Sequence, residues 1–266
     1  MKNKILAQLS PGHPWGKLLE YHQTIASTNT RAMELAAAGA PEGTVVLAEC
    51  QTAGRGRMGR SFHSPAASGI YLSLILRPQC HASRLMHLTC AVGVAVCDAI
   101  EEAAGFRPGI KWTNDLVLGK KKAGGILTEM HMGSDGQVAY AVVGIGINCA
   151  QQEADFPEEL RSIATSLSAH AGKKICRSRL AAAMIEKLYK MHGGLLTDKA
   201  AVMERYRKNC ITLGQEVSVL RGETVFYGKA VDLDEDGGLI LQLPNGEECC
   251  VSFGEVSIRG MYGYVN

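Results

Sequence analysis

The pattern of hydrophobic and polar positions along the chain predicts a long first part with both helices and strands, followed by a short part made of strands alone. Alternation of apolar and polar residues predicts strands, whereas apolar residues spaced three or four apart predict helices. In the first part the alternation predicts strands at residues 18–25, 44–50, 70–77, 109–118, 124–132 and 138–148. The helical spacing predicts helices at residues 31–38, 84–104, 178–196 and 199–210. This order indicates an α+β fold around a central mixed or antiparallel sheet.

The last part of the chain contains only short predicted strands, at residues 215–221, 224–233, 239–243 and 248–256. Short strands that follow one another closely, separated by glycine-containing turns, are typical of a small β-barrel. We therefore place a domain boundary near Leu213, which gives one domain at residues 1–213 and a second at residues 214–266. A barrel of this size buries little apolar surface alone, so we expect it to be docked on the first domain.

The overall composition is that of an ordinary folded protein. Hydrophobic residues make up 46% and charged residues 20%, which excludes disorder, and a net charge of +2 is too small for a general nucleic-acid surface. The longest strongly apolar stretch, residues 88–100, is interrupted by Asp98 and is shorter than the roughly 20 residues that span a bilayer. We expect a buried helix there, no membrane span, and nine free cysteine thiols in a reducing cytoplasm.

A loop of alternating glycine and arginine, QTAGRGRMGR at residues 51–60, is the most informative segment. Glycine lets the main chain approach a ligand closely, and the forked guanidinium groups of Arg55, Arg57 and Arg60 match carboxylate and phosphate oxygens. The composition fits an anion-binding loop. It fits a solvated surface loop equally well, and a tether for single-stranded nucleic acid is a third interpretation.

Three further segments carry polar groups or glycines where a strand or helix begins or ends. In KWTND, Asn114 and Asp115 would hold a phosphate-bound Mg²⁺, with Lys122 facing the same phosphate, or else they form an ordinary hairpin turn. The glycines of GIGIN, residues 144–148, require a ligand or another chain segment packed closely against the strand. The STN segment, residues 27–29, is explained by helix capping or by ligand binding.

The order and spacing of these segments resemble the biotin protein ligases, also called biotin–[acetyl-CoA-carboxylase] ligases. The resemblance rests on the ordered set of STN, QTAGRGRMGR, KWTND, KAGGILTE, GIGIN and GEVSIR, and runs from about residue 18 to the C-terminus. It implies a class II synthetase-like catalytic domain with a C-terminal SH3-like barrel. It also implies activation of biotin by ATP and Mg²⁺ as biotinyl-5′-AMP, followed by transfer to a lysine of a biotin carboxyl carrier protein.

The resemblance also assigns roles to individual residues. The catalytic residues would be Lys122, Arg57 and Asp115, with Asp115 also holding Mg²⁺ through the phosphates. The residues that would bind biotin are Ser27, Thr28, Asn29, Gln51, Gly54, Arg55 and Lys122. Those that would bind ATP and the adenylate are Arg57, Arg60, Phe62, Asn114, Asp115, Asn148 and Arg259.

Two positions depart from the family pattern, and other functions stay open. Thr113 stands where the family usually has proline, and Phe62 stands where it often has the tryptophan expected to stack on adenine. The chain begins only a short way before Ser27, so we expect no DNA-binding domain, no DNA partner and no membrane, and a monomer or homodimer. The alternatives are a lipoate or octanoate ligase and a non-enzymatic biotin or nucleotide sensor.

Overall fold

The computed structural model describes residues 1–221, 224–252, 254–258 and 261. Its first β-sheet has seven strands in the spatial order β1-β2-β3-β7-β6-β5-β4. Strands β1 and β2 are parallel and the other neighbours are antiparallel, so the sheet is mixed, as predicted. The strands are β1 (Leu19–His22), β2 (Val45–Ala48), β3 (Gly69–Leu76), β4 (Gly109–Lys111), β5 (Asp115–Leu118), β6 (Lys121–Met132) and β7 (Val138–Asn148).

Seven α-helices surround this sheet in the described residues. They are α1 (Lys2–Leu6), α2 (Thr28–Ala37), α3 (Leu88–Ala104), α4 (Glu158–Arg161), α5 (Leu167–Ala171), α6 (Arg177–Gly194) and α7 (Lys199–Asn209). Helix α3 packs against α6, α7 and β6 in the main core. The segment Ala82–Ala104 is long and apolar enough to cross a membrane by length and hydropathy alone, but 72% of its apolar 18-residue stretch is buried inside the protein, as expected for a core helix.

The C-terminal part folds into a second, antiparallel sheet of five strands. These are β8 (Glu216–Arg221), β9 (Thr224–Leu233), β10 (Leu239–Gln242), β11 (Glu248–Val251) and β12 (Glu255–Ile258), in the order β11-β10-β9-β8-β12. Their inward side chains, among them Val217, Val219, Leu241 and Val256, are buried. The predicted small C-terminal β-domain is therefore confirmed.

Several predicted elements have different bounds in the structure. The strand predicted at residues 109–118 is wrong, because β4 and β5 form a hairpin in which Trp112 donates its backbone N–H to the Thr212 hydroxyl instead of a neighbouring strand. The strand predicted at residues 248–256 is likewise two strands, β11 and β12. The first long helix begins three residues early, because the Ser27 hydroxyl accepts the Thr30 N–H and caps it.

Hydrogen bonds from Trp112 and Arg207 join the second sheet to the first part of the chain. The Trp112 side chain is almost fully buried, and its indole Nε1–H donates to the carbonyl oxygen of Gly237, 2.7 Å away, in the turn between β9 and β10. Arg207 on α7 donates to the carbonyl oxygen of Leu233 at 2.6 Å. The second sheet is thus docked on the first part of the chain, next to the KWTND turn.

Candidate active site

One large cavity, of about 550 Å³, lies where the two sheets meet. The start of α2, the arginine–glycine loop, the β4–β5 turn and the facing sides of β6, β7, β8, β9 and β12 form its walls. The structure brings most of the predicted site residues to this cleft: Ser27, Thr28, Asn29, Gln51, Arg55, Arg57, Arg60, Phe62, Asn114, Asp115 and Lys122.

The floor of the cleft is a patch of β6 and β7 where glycine replaces a side chain. Gly146 pairs with Gly125, and Gly144 pairs with Leu127. A methyl group at Gly144 would overlap the amide of Asn29, and one at Gly146 would overlap the ring of Phe62. Gly144 and Gly146 leave room for side chains from α2 and from the loop, which lie directly on the strand backbone, and a larger residue would not fit there.

Hydrogen bonds fix the polar groups at the α2 end of the cleft. Gln51 Oε1 accepts hydrogen bonds from the backbone N–H of Thr28 at 2.8 Å and from the Thr28 hydroxyl at 3.0 Å. Gln51 Nε2 donates to Ser64 Oγ at 2.9 Å. The Ser73 hydroxyl, which is fully buried on β3, donates to Asn29 Oδ1 at 2.6 Å. This end presents hydroxyl and amide groups in fixed orientations, which suits a small neutral polar group such as a urea.

Each arginine of the loop has a different protein partner. Arg55 forms an ion pair with Glu129 on β6, with an N–O distance of 2.8 Å. Arg57 donates to Asn114 Oδ1 at 2.7 Å and to the carbonyl oxygen of Gly254 at 3.0 Å. Arg60 forms an ion pair with Glu255 on β12, 2.6 Å apart. The loop is therefore tied to both sheets, and its arginines line the cleft, unlike those of a freely solvated loop.

A lysine–aspartate pair lies at the centre of the floor. Lys122 Nζ is 2.6 Å from Asp115 Oδ1, and both side chains are at least partly shielded from solvent. Lys111 lines the same region and is buried, and this burial lowers the pKa of its ammonium group while the nearby Asp115 opposes that shift. Together with Arg57 and Arg60, these groups give the centre of the cleft an excess of positive charge, suited to an anionic substrate.

Two predicted residues that the structure describes, Gly54 and Asn148, do not line the cleft. Gly54 is buried where the loop begins, and a methyl group there would overlap the carbonyl oxygen of Phe62. The amide of Asn148 donates to the carbonyl oxygen of Thr165 at 3.1 Å, away from the cavity. Arg259 lies outside the described residues.

Other residues of the site were not assigned a role by the sequence analysis. Glu129 was part of the KAGGILTE segment and Lys111 part of KWTND, so their motifs carried a signal that was not used. No sequence feature singled out Ser73, since a serine in an apolar strand is indistinguishable from any other buried serine. Leu220 and Tyr227 of the second sheet line the cavity itself, and strand alternation alone gives no reason to place them there.

Comparison with known proteins matches both parts of the chain. The model described as the biotin/lipoate A/B protein ligase family matches residues 21–148, and the model described as the biotin protein ligase C-terminal domain matches residues 212–259. The bifunctional ligase/repressor BirA of Bacillus subtilis is 44% identical over 237 residues, which are 87% of this chain and 71% of that protein. The chain belongs to the biotin protein ligase family.

Two further relatives of this ligase extend over nearly the whole chain. The biotin–[acetyl-CoA-carboxylase] ligase of Mycobacterium tuberculosis is 33% identical over 93% of this chain and 91% of that protein. The biotin protein ligase from Aquifex aeolicus, solved in complex with biotin and ATP, has a TM-score of 0.74 and 30% identity, covering 91% of this chain and 98% of that one. These likenesses confirm the predicted ligase fold and identify the chain as an enzyme.

Proposed function

We propose that this ligase activates biotin with ATP as biotinyl-5′-AMP and then transfers biotin to a lysine of a biotin carboxyl carrier protein. The observation that carries the proposal is the Lys122–Asp115 pair on the floor of the cleft, 2.6 Å apart, with hydrogen-bonding groups at one end and arginines at the other. A carboxylate and a triphosphate repel each other. A site that joins them therefore needs fixed cations at the point of reaction.

In the first step, a biotin carboxylate oxygen attacks the α-phosphorus of ATP. The new P–O bond forms as the bond to the β-phosphate oxygen breaks, and pyrophosphate leaves with the electron pair. Lys122 would lie between the carboxylate and the α-phosphate, held there by Asp115. Arg57 and Arg60 would exchange their present partners for carboxylate and phosphate oxygens, since guanidinium groups bind both in a two-pronged geometry.

The α2 end of the cleft would hold the ureido ring of biotin. Ser27, Thr28 and Asn29 offer hydroxyl and amide groups there, and Gln51 fixes the orientation of Thr28. A buried urea needs both donors and acceptors, and these side chains provide them. Arg55 would close this end, and Phe62, which lies on Gly146, would support the adenylate.

Magnesium is part of the proposal through Asp115. Among the described residues no group of three histidine, cysteine or acidic side chains is arranged to hold a metal ion by itself. This fits Mg²⁺, which is usually bound by one or two carboxylates together with substrate phosphates and water. Asp115, with Asn114 Nδ2 3.3 Å from its Oδ1, would supply that carboxylate. Bound with ATP, the ion would neutralise phosphate charge.

In the second step, the ε-amine of the carrier lysine attacks the acyl carbon of the anhydride. The C–N bond forms, the C–O bond to AMP breaks, and the amine gives up a proton. Lys122 would stabilise the oxyanion that develops on the acyl oxygen. Asp115 would either accept the amine's proton or hold the metal ion, and its contact with Lys122 is compatible with both roles.

The remaining predictions are part of this proposal. The name of the Mycobacterium tuberculosis relative supports acetyl-CoA carboxylase as the source of the carrier protein. The second sheet starts at Glu216, which supports the division into domains at residues 1–213 and 214–266. A cytoplasmic location, a monomeric or homodimeric state and the lack of a DNA partner stay predictions.

The first experiment is ATP–pyrophosphate exchange with the purified protein and Mg²⁺, with biotin, lipoate, octanoate or no acid. We expect exchange with biotin alone, and incorporation of biotin into a carrier domain only when its acceptor lysine is present. Exchange with lipoate or octanoate in place of biotin would move the assignment to the sister ligases of the same family. No exchange with any of the acids would contradict the proposed activation step.

A further inference from the structure

The carboxylate of Glu129 binds two side chains that come from different segments of the cleft wall. Its Oε2 accepts from Asn29 Nδ2 at 3.0 Å, and its two oxygens accept from the Arg55 guanidinium at 2.8 and 3.2 Å. Asn29 belongs to the first turn of α2, whereas Arg55 belongs to the arginine–glycine loop. A single group on β6 therefore connects the helix that forms the proposed biotin end with the loop that covers it.

The three arginines of the loop divide the anchoring between the two sheets. Arg57 and Arg60 are held by the β4–β5 turn and by the second sheet, close to where the phosphates would bind. Arg55 is held by β6, and its partner Glu129 also contacts Asn29. The Glu129 contact is thus the anchor of the Arg55 side chain at the biotin end of the loop.

Glu129 acts at a distance from the reacting atoms. Residues 125, 127 and 129 are every second residue along β6, so they lie on the same face of the sheet. Lys122 Nζ lies close to Gly125, at the opposite end of this row from Glu129. Four residues of extended strand separate Gly125 from Glu129, which is roughly 13 Å. A change at Glu129 therefore affects the biotin end and leaves the Lys122–Asp115 pair in place.

We propose that Glu129 is a positioning residue that sets the affinity for the acid substrate by holding Asn29 and Arg55 in their binding orientations. The inference rests on the proposed function, because it takes the α2 end of the cleft to be the biotin end. A carboxylate is required because it can accept from an amide and from a guanidinium at the same time, and charged hydrogen bonds are stronger than neutral ones. Glutamine has the same shape but turns a donor toward one of these partners.

The test compares Glu129→Gln with Glu20→Gln as a matched control. Glu20 on β1 also forms a two-pronged ion pair with an arginine, Arg31, at 2.7 and 3.3 Å and with similar exposure, but neither residue lines the cleft. We expect Glu129→Gln to raise the KM for biotin in pyrophosphate exchange about tenfold and to change kcat by less than about twofold. Amide exchange of residues 53–61 in the ligand-free protein should also become faster. The control should show neither change.

The outcomes separate this inference from the function on which it rests. Wild-type protein without biotin-dependent exchange would overturn the proposed function and the inference together. Active wild-type protein in which Glu129→Gln and Glu20→Gln have the same KM for biotin would overturn the role of Glu129 alone. So would a fall in kcat at unchanged KM, because it would place the effect at the reacting atoms. A Glu129→Asp variant, which keeps the charge, should recover part of the lost affinity.

Discussion

The side chain of Asn29 lies directly on the backbone of Gly144, so that a single added methyl group at Gly144 would occupy the position of the Asn29 amide. Asn29 is also held from the sides, by the Ser73 hydroxyl at 2.6 Å and by Glu129 at 3.0 Å. The first turn of α2 is therefore fixed against the sheet by its contact with a glycine and by hydrogen bonds to β3 and β6. This contact joins the first turn of a helix to a strand at the proposed biotin end of the cleft.

Replacement of Gly144 by alanine should displace Asn29 and weaken biotin binding. We expect the KM for biotin to rise at least tenfold, with a loss of about 1–3 kcal/mol in unfolding free energy, the usual cost of overfilling a packed site. Steady-state kinetics and urea unfolding measure the two effects. The control is Gly193→Ala in α6, where an added methyl group meets no atom within 4 Å; it should stabilise the helix by up to about 1 kcal/mol. Unchanged biotin binding in Gly144→Ala would contradict the placement of the biotin end.

Removal of the Lys122 ammonium should abolish both proposed steps. We expect Lys122→Ala to slow biotin-dependent pyrophosphate exchange about 100-fold or more, since it removes a charge directed at the reacting oxygens. Its neighbour Lys121 is the matched control, because its Nζ donates to the carbonyl oxygen of Arg161 at 2.9 Å and does not line the cleft. If Lys121→Ala slowed the exchange as much as Lys122→Ala, the effect would come from the loss of any nearby positive charge and not from the position of Lys122.

The indole of Trp112 should be needed to hold the second sheet in place. Trp112→Phe removes the hydrogen bond to the carbonyl oxygen of Gly237 and leaves that buried oxygen without this donor. A buried group that loses its partner costs about 1–3 kcal/mol. We expect that decrease in the unfolding free energy, together with faster amide exchange in the turn around Gly237. A variant with wild-type stability and exchange would show that the contact does not contribute to docking.

The pair formed by His192 on α6 and Glu42 should make stability depend on pH. The two side chains are 2.9 Å apart, and this hydrogen bond raises the pKa of His192 above its usual 6.5 and lowers the pKa of Glu42 below its usual 4.5. A histidine whose pKa is higher in the folded than in the unfolded protein stabilises the fold. The full contribution is present at a pH below the unfolded-state pKa and is lost as the pH rises through the folded-state pKa. Because both side chains are about a third exposed, the contribution is below about 1 kcal/mol.

The comparison of His192→Gln with wild type at pH 6 and pH 9 tests this pair. The variant should lose more unfolding free energy at pH 6, where the histidine is charged and Glu42 is ionised, than at pH 9. Glu42→Gln should show the same dependence, and the double variant should add little to either single change, because both remove the same interaction. Equal losses at the two pH values would exclude a charged pair.

Much of the fold follows from the local pattern. The strands at 138–148 and 224–233 have the predicted bounds, and the helix at 199–209 differs by one residue, because their alternation or helical spacing is long and regular. The hairpin of β4 and β5 was predicted only as an alternative, and the strand pattern predicted one continuous strand there. Its turn contains Trp112 and Thr113, which have the composition of a strand. Trp112 bonds instead to Thr212 and Gly237, and the carbonyl oxygen of Thr113 accepts from Tyr206. A local pattern carries no information about such distant partners.

The sequence by itself determined which residue types meet in the cleft, since the ordered motifs identified the arginine loop, Lys122 and Asp115 before any geometry was known. The tertiary structure decided how they face one another. A bulge in β6, where Leu116 pairs with Gly124 but Val117 pairs with Lys122, places Lys122 on the same face as Asp115 and Gly125. Regular alternation would have put Lys122 and Gly125 on opposite faces. Strand register and bulges depend on how two strands pair in the folded sheet, and the sequence of one strand does not specify them.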